Sequence, residues 1–144
     1  MTNRFQDKVV IVTGAASGIG RAVVERVASE GGSVLAADLN QDMLKKLSNS
    51  KSQIEILPCD ANDPGTASKL AATTLSRFGA INGFVPCAGT IKFAPVTEVS
   101  PAQWDAVIDI NLRAVFFQVQ AIGKAVALKG GEGGYVRYEV FAVR

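Results

Sequence analysis

KVVIVTGAASGIGRA, from Lys8 to Ala22, is the stretch that decides the fold. Its first half, Lys8 to Gly14, is a β-branched apolar run ending in glycine, the pattern of a strand buried on both faces of a parallel sheet. Its second half leads into a helix: from Arg21 to Glu30 the apolar Ala22, Val23, Val27 and Ala28 fall at helical spacing, and Gly31-Gly32 stops the run. Between the two lies TGAASGIG, with Gly14, Gly18 and Gly20. Glycines at a strand-to-helix turn let the chain reverse tightly, let backbone N–H groups approach a pyrophosphate, and let the helix pack closely on the sheet. Glycines also simply make turns, but a strand before and a helix after are the context that nucleotide binding requires.

Working outward, SVLAADL reads as a second buried strand, Asn40 to Leu47 as a short helix, NSKSQ as a polar loop and IEILPCD as a third strand. In NDPGTASKLAATTLSRFG, Asp63 is expected as the helix N-cap with Pro64 at the first helical position, and Gly79 closes the element. INGFVPCAG supplies the fourth strand and its exit. Ser100-Pro101 repeats the cap-plus-proline signal and opens a long helix, Pro101 to Leu128, apolar around much of its circumference. Such a helix is expected to be buried against more than one neighbour, with Trp104, Phe116 and Phe117 as packing residues. Strands alternating with helices imply βαβ units, right-handed crossovers and an α/β parallel sheet. The 144 residues suit one domain, with no internal linker or repeat.

Composition narrows the function classes. Hydrophobic residues make up 48% and charged residues 19%, a globular balance. The mean hydropathy of +0.22 is slightly apolar, as if some surface lacked its cover. A net charge of +2 with scattered lysines and arginines carries no nucleic-acid footprint. MTNRFQDK has no apolar leader, and nothing approaches the run of about 18 apolar residues that a membrane helix needs, so a cytoplasmic protein with no membrane partner is expected. There is no histidine, which removes the commonest general base and metal ligand. Cys59 and Cys87 match no metal spacing and read as free thiols, so no metal site is expected. Asp38 ends the second strand eighteen residues past Gly20, close to the about 20 expected of an acid that bonds the adenosine ribose. Its carboxylate would accept from the 2′-hydroxyl and repel a 2′-phosphate. Ala15, Ala16, Ser17 and Leu39 offer no compensating cation, so NAD is favoured over NADP.

TGxxxGIG, the acid ending strand two, Asp60 ending strand three, the strand-four CAG and an asparagine within a long helix together resemble the amino-terminal part of a classical short-chain dehydrogenase/reductase, over Lys8 to Gly134. The resemblance implies a Rossmann-type doubly wound sheet of order 3-2-1-4-5, truncated after about the fifth strand. It implies that Gly14, Ser17, Gly18, Ile19 and Gly20 hold the pyrophosphate and adjoining ribose, with Asp38 and Leu39 at the adenosine side. Asp60 would face the adenine amino group with Ala61 beside it, and Ala88 and Gly89 would pass the nicotinamide-side ribose. Asn111, in DINLRAVFF, matches the asparagine that helps hold a water of the proton relay. Where the family has two asparagines before Ala-Gly, this chain has Pro86 and Cys87, so the strand-four exit must be bonded differently.

Family chemistry moves a hydride between an alcohol or ketone carbon and the nicotinamide, using a tyrosine, a lysine four residues later and an upstream serine. The only tyrosines are Tyr135 and Tyr138, followed four residues on by Glu139 and Ala142, and no serine or threonine stands after Ser100. Asn111 alone remains of the catalytic set. YVRYEVFAVR alternates as a strand, with Val136, Tyr138, Val140 and Ala142 on one face and Arg137 and Glu139 on the other, but from Tyr135 onward it looks foreign to the body. Three readings follow: a truncated NAD-dependent oxidoreductase without turnover of its own, a silent NAD-binding module that pairs with a full-length relative, or a chain without a role because it cannot fold; helix 101–128 is the expected surface for any homo- or hetero-oligomer.

Overall fold

The computed structural model describes residues 3–48 and 52–129. The expected strand from Tyr135 and part of the NSKSQ loop lie outside them. Strands β1 (Val9–Thr13), β2 (Ser33–Asp38), β3 (Ile54–Pro58) and β4 (Gly83–Pro86) form one parallel sheet of order β3-β2-β1-β4. The doubly wound architecture expected from the sequence is therefore present, and the described residues supply the first four of its strands.

The sheet is covered on both faces because the side chains of β1 and β2 alternate across it. Val10, Val12, Val34 and Ala36 pack toward helices α1 (Gly18–Ser29) and α2 (Gln41–Ser48), with Val24, Val27 and Leu44. Ile11, Leu35 and Ala37 pack on the other face toward α3 (Thr66–Phe78) and α5 (Ala114–Leu128), with Leu70, Ala71 and Ile122. Ile11, Leu35, Leu44 and Leu70 are completely buried, each stabilising the fold by about 1.5–3 kcal/mol relative to exposure. The one strand of the run quoted first, β1, thus contributes to both cores, with β2 beside it.

Two expectations about helix starts divide. Ser100 caps α4 (Pro101–Ile108) as expected, in a full capping box with Gln103. Asp63 does not cap α3: the helix begins at Thr66 with Gly65 as its N-cap, and the Asp63 carboxylate instead accepts from the Gly65 N–H at 2.7 Å. A carboxylate two residues from a free N–H closes a local turn, and that turn uses up the proline that would have opened the helix. Gly79 ends α3 in a left-handed conformation (φ 78°).

The expected Pro101–Leu128 helix is continuous but not uniform. Between α4 and α5 the turn Asp109–Arg113 is π-helical. Only Ala114, Val115, Gln118 and Ile122 of α5 are buried, and none of α4, which corrects the expectation of burial against several neighbours. Trp104, Phe116 and Phe117 are half-exposed or more, so among the described residues they pack on no core; Phe116 and Phe117 meet edge-on at 5.4 Å. The 28 residues also reach the length and apolarity of a membrane span, with a mean hydropathy of 1.2 and 22% of that window buried. Asp105, Asp109, Arg113 and Lys124 interrupt it.

One ion-pair cluster ties the amino-terminal segment to α1. Glu30, nearly buried, accepts from Arg4 at 2.6 and 2.8 Å and pairs with Arg26. The Arg4 bond, with Arg26 adding to it against the opposing effect of burial, lowers the Glu30 carboxyl to about 2 from an ordinary 4.5. A depressed carboxyl pKa adds stability that is complete above the unfolded value and is lost as pH falls toward the folded one. Glu30→Gln is therefore expected to lower the thermal midpoint at pH 7, with the gap to the parent closing between about pH 4.5 and 2. A gap that stayed constant over that range would refute the assignment.

Candidate functional site

The sheet order reverses at β1, which lies between β2 and β4, so the loops leaving β1 and β4 diverge at the carboxyl ends of the strands. A cleft of about 400 Å³ opens there. Thr13, Gly14, Ser17, Gly18, Ile19 and Gly20 line one part of it, Ala37, Asp38 and Leu39 a second, Cys59 and Ala61 a third, and Cys87, Ala88, Gly89 and Ile110 a fourth. Ten of the twelve residues expected at the nucleotide or catalytic positions are thus brought to one cavity; Asp60 and Asn111 stand beside it without lining it.

Close backbone approach shapes the floor. Gly14 has φ +64°, and a Cβ there would stand 2.6 Å from the Cys87 carbonyl carbon and the Ala88 nitrogen. Gly20, inside the first turn of α1, allows a still closer approach: a Cβ would fall 2.1 Å from the Gly14 carbonyl oxygen. The first turn of α1 therefore sits directly on the β1 exit. Its N-cap, Ser17, makes no side-chain capping bond, and no acidic residue stands in that turn, so its positive end is uncompensated.

Asp38 is held before any ligand arrives. Its Oδ2 accepts from the Ala16 N–H at 3.0 Å and its Oδ1 from the Asn40 N–H at 2.9 Å. Two backbone donors aim the carboxylate along the cleft wall, next to Leu39, which is 69% exposed. Ile19, on the glycine turn, is 75% exposed. Large apolar side chains left open in a cleft are suited to the flat faces of a bound ring system.

The exit of β4 is bonded to Thr13 of the neighbouring strand β1. Cys87 N–H donates to the Thr13 carbonyl at 3.1 Å, and Ala88 N–H reaches Thr13 Oγ1 at 3.4 Å. Because successive N–H groups of a strand point to opposite sides, the position where Pro86 lacks one faces away from β1. Asn111 secures the next step: its Oδ1 accepts from the Thr90 N–H at 2.9 Å and its Nδ2 donates to the Thr90 carbonyl at 2.8 Å. The π-helical turn is centred on Asn111, and such turns recur at functional positions because the extra residue re-aims a side chain. Burial pushes the Cys59 and Cys87 thiols up, so both stay protonated at neutral pH, and both are free. No cluster of potential metal ligands occurs among the described residues.

Sequence reasoning missed Thr13, Ala37, Cys59 and Ile110 as cleft residues, and it missed Gln118, buried on α5 with its Nε2 on the Ala61 carbonyl. Thr13 was signalled only by its place directly before Gly14; nothing local marks the others.

Comparison with known proteins agrees with this geometry. The short chain dehydrogenase family profile matches residues 8–136. D-threitol dehydrogenase of Mycolicibacterium smegmatis is 35% identical over 132 residues, covering 89% of this chain and 51% of that protein. Among solved structures, a short-chain dehydrogenase/reductase of Brucella melitensis described as a glucose/ribitol dehydrogenase superposes with a TM-score of 0.82 at 33% identity, over 87% of this chain and 54% of that one. Levodione reductase superposes with a TM-score of 0.80 at 31% identity, over 89% and 52%. The chain spans about half the length of the curated relatives it matches. With the glycine turn, the reversal of strand order and the matched profile in agreement, the chain belongs to the short-chain dehydrogenase family.

Proposed function

We propose that this chain is the NAD-binding half of an oxidoreductase that interconverts a small alcohol and its ketone, and that these 144 residues bind NAD(H) without turnover of their own. The observation that carries the reading is the cradle in which Gly14 and Gly20 leave no room for a Cβ while Asp38 stands pre-aimed on the rim. The donor set suits a dinucleotide. The α1 amino terminus with Gly14, Ser17, Gly18 and Ile19 would hold the pyrophosphate; Asp38 would accept from the ribose hydroxyls, and Leu39 would cover the adenine face. Asp60 and Ala61 would meet the adenine edge, and Ala88 and Gly89 the second ribose. When bound, the nicotinamide supplies the hydride acceptor. Asn111, clamped on Thr90, keeps the β4 exit in place beside the reacting ring.

The names of the relatives, a D-threitol dehydrogenase and a levodione reductase, support a hydroxyl or carbonyl substrate for the complete form. Absence of turnover is supported by the residues four positions beyond Tyr135 and Tyr138, which are Glu139 and Ala142 rather than lysine. Titration of the 144-residue chain with NADH, followed by nicotinamide fluorescence, is expected to saturate. A panel of secondary alcohols with NAD is expected to give no reduction. A flat titration would overturn the binding reading, and robust reduction would overturn the silent one.

A second reading, a silent module that pairs with a full-length relative, is favoured by one observation: Trp104, Leu112, Phe116 and Phe117 are exposed along helix 101–128. Co-expression with a full-length relative is expected to give a mixed complex under that reading, and separate elution would count against it.

A further inference from the structure

Gln118 is 2% exposed, in the second turn of α5, and its Oε1 has no hydrogen-bond partner among the described residues. Burying an amide with one end unmet is unfavourable, and a leucine would fill similar space without that penalty. What only the amide supplies is a donor: Nε2 donates to the Ala61 carbonyl at 3.2 Å. The orientation of the amide is set by chemistry, because a carbonyl can only accept. One residue earlier, the Asp60 carbonyl accepts from Thr66 Oγ1 at 2.6 Å, and Thr66 is 3% exposed at the start of α3. Two buried side chains from two helices therefore hold two consecutive carbonyls of the segment that closes the third part of the cleft.

Trans peptide planarity turns this into a statement about donors. No peptide bond among the described residues is cis, so each N–H points opposite to the carbonyl of its own peptide plane. With the Asp60 carbonyl tied to Thr66, the Ala61 N–H is directed away from Thr66, and no hydrogen bond takes it up among the described residues. With the Ala61 carbonyl tied to Gln118, the Asn62 N–H is directed the other way, where it meets Asp60 Oδ1 at 2.9 Å. The turn thus carries a backbone donor, the Ala61 N–H, beside a carboxylate whose position is set by the N–H of the next peptide.

We infer that Gln118, with Thr66, is a positioning residue for the purine end of the nucleotide: the two side chains pin the Asp60-Ala61-Asn62 turn so that a donor and a carboxylate acceptor are presented side by side to a purine edge carrying an amino group and a ring nitrogen. This rests on the nucleotide reading above. Neither residue touches the ligand.

The test uses the full 144-residue chain, with 5′-AMP and NADH as probes and thermal unfolding in parallel. Gln118→Leu, which keeps the bulk and removes the donor, is expected to weaken 5′-AMP and NADH binding by about 5- to 10-fold, the range for one lost hydrogen bond. Ile122→Val, one turn away on α5, removes a buried methylene without touching the turn and is expected to lower the thermal midpoint while leaving 5′-AMP affinity within twofold. That contrast separates positioning from a general loosening of α5. Should Gln118→Leu fail to fold, Thr66→Val carries the same test from α3. If the parent binds 5′-AMP and the folded variant binds it equally well, or if Ile122→Val weakens it as much, the inference is overturned. If the parent binds neither probe, the nucleotide reading itself has failed.

Discussion

Gly20→Ala is expected to abolish NADH binding and to destabilise the chain by about 3 kcal/mol or more, at the upper end of single-substitution effects. Its Cβ would stand 2.1 Å from the Gly14 carbonyl oxygen and 2.7 Å from the Gly14 carbonyl carbon. Both atoms are backbone, on the turn that leaves the central strand, so no side-chain rotation relieves the clash. Either α1 lifts from the sheet, exposing Val24 and Val27, or the β1 exit shifts and the pyrophosphate cradle is lost. A domain is held by only about 5–15 kcal/mol, so either route reaches a large part of the total. Gly79→Ala is the control: its φ is +78°, yet nothing stands within 4 Å of a Cβ there, so only backbone strain of about 1–2 kcal/mol is expected, with NADH binding intact. A thermal midpoint for Gly20→Ala within a degree or two of the parent, with unchanged NADH affinity, would sink the argument.

Asp38→Ser is expected to lower NADH affinity by about 10- to 100-fold and to raise NADPH affinity, so that the cofactor preference narrows or reverses. Hydrogen bonds to a charged group are worth about 1.5–3 kcal/mol each, and Asp38 is already oriented by Ala16 and Asn40, so little ordering opposes binding. The 2′-phosphate of NADPH adds about −1.5 to −2 of charge, which the parent carboxylate repels and serine does not. Adding Leu39→Arg, at a side chain that is already 69% exposed, is expected to complete the reversal by supplying a bidentate phosphate partner. Equal affinity of the parent for NADH and NADPH, or no change in the Asp38→Ser chain, would remove the basis for choosing NAD. Both variants are read by the same fluorescence titration, which keeps them comparable.

The fold was legible at the places where local pattern and tertiary role coincide. The β1 run is apolar from Val9 to Val12 because it is buried on both faces, and that burial is what the β-branched run signalled. Ser100 was legible as a cap because its partners, the Gln103 N–H and side chain, lie three residues away. Asp63 was misread for a related reason: Asp-Pro-Gly serves a turn as well as a helix start, and the choice depended on where Thr66 had to stand to hold the Asp60 carbonyl. The long helix was misread because a hydrophobic pattern tells which side chains avoid water and not what covers them. Trp104, Phe116 and Phe117 fit a helix equally well whether they face this sheet or another surface.

The sequence by itself determined the βαβ alternation, the glycine turn, Asp38 as an acidic strand end and the family to which these belong, since each is written in residues close together along the chain. Only the tertiary structure decided that the β1 exit and α1 meet at a distance no side chain allows, that Thr13 bonds the end of β4, and that Gln118 reaches back to Ala61. These contacts join positions brought together by the parallel crossovers, and a hydrogen bond across 57 residues leaves no periodicity to read. Local sequence sets which backbone conformations are cheap, but the crossing of elements sets which donors and acceptors face each other, and the cleft is made of those crossings.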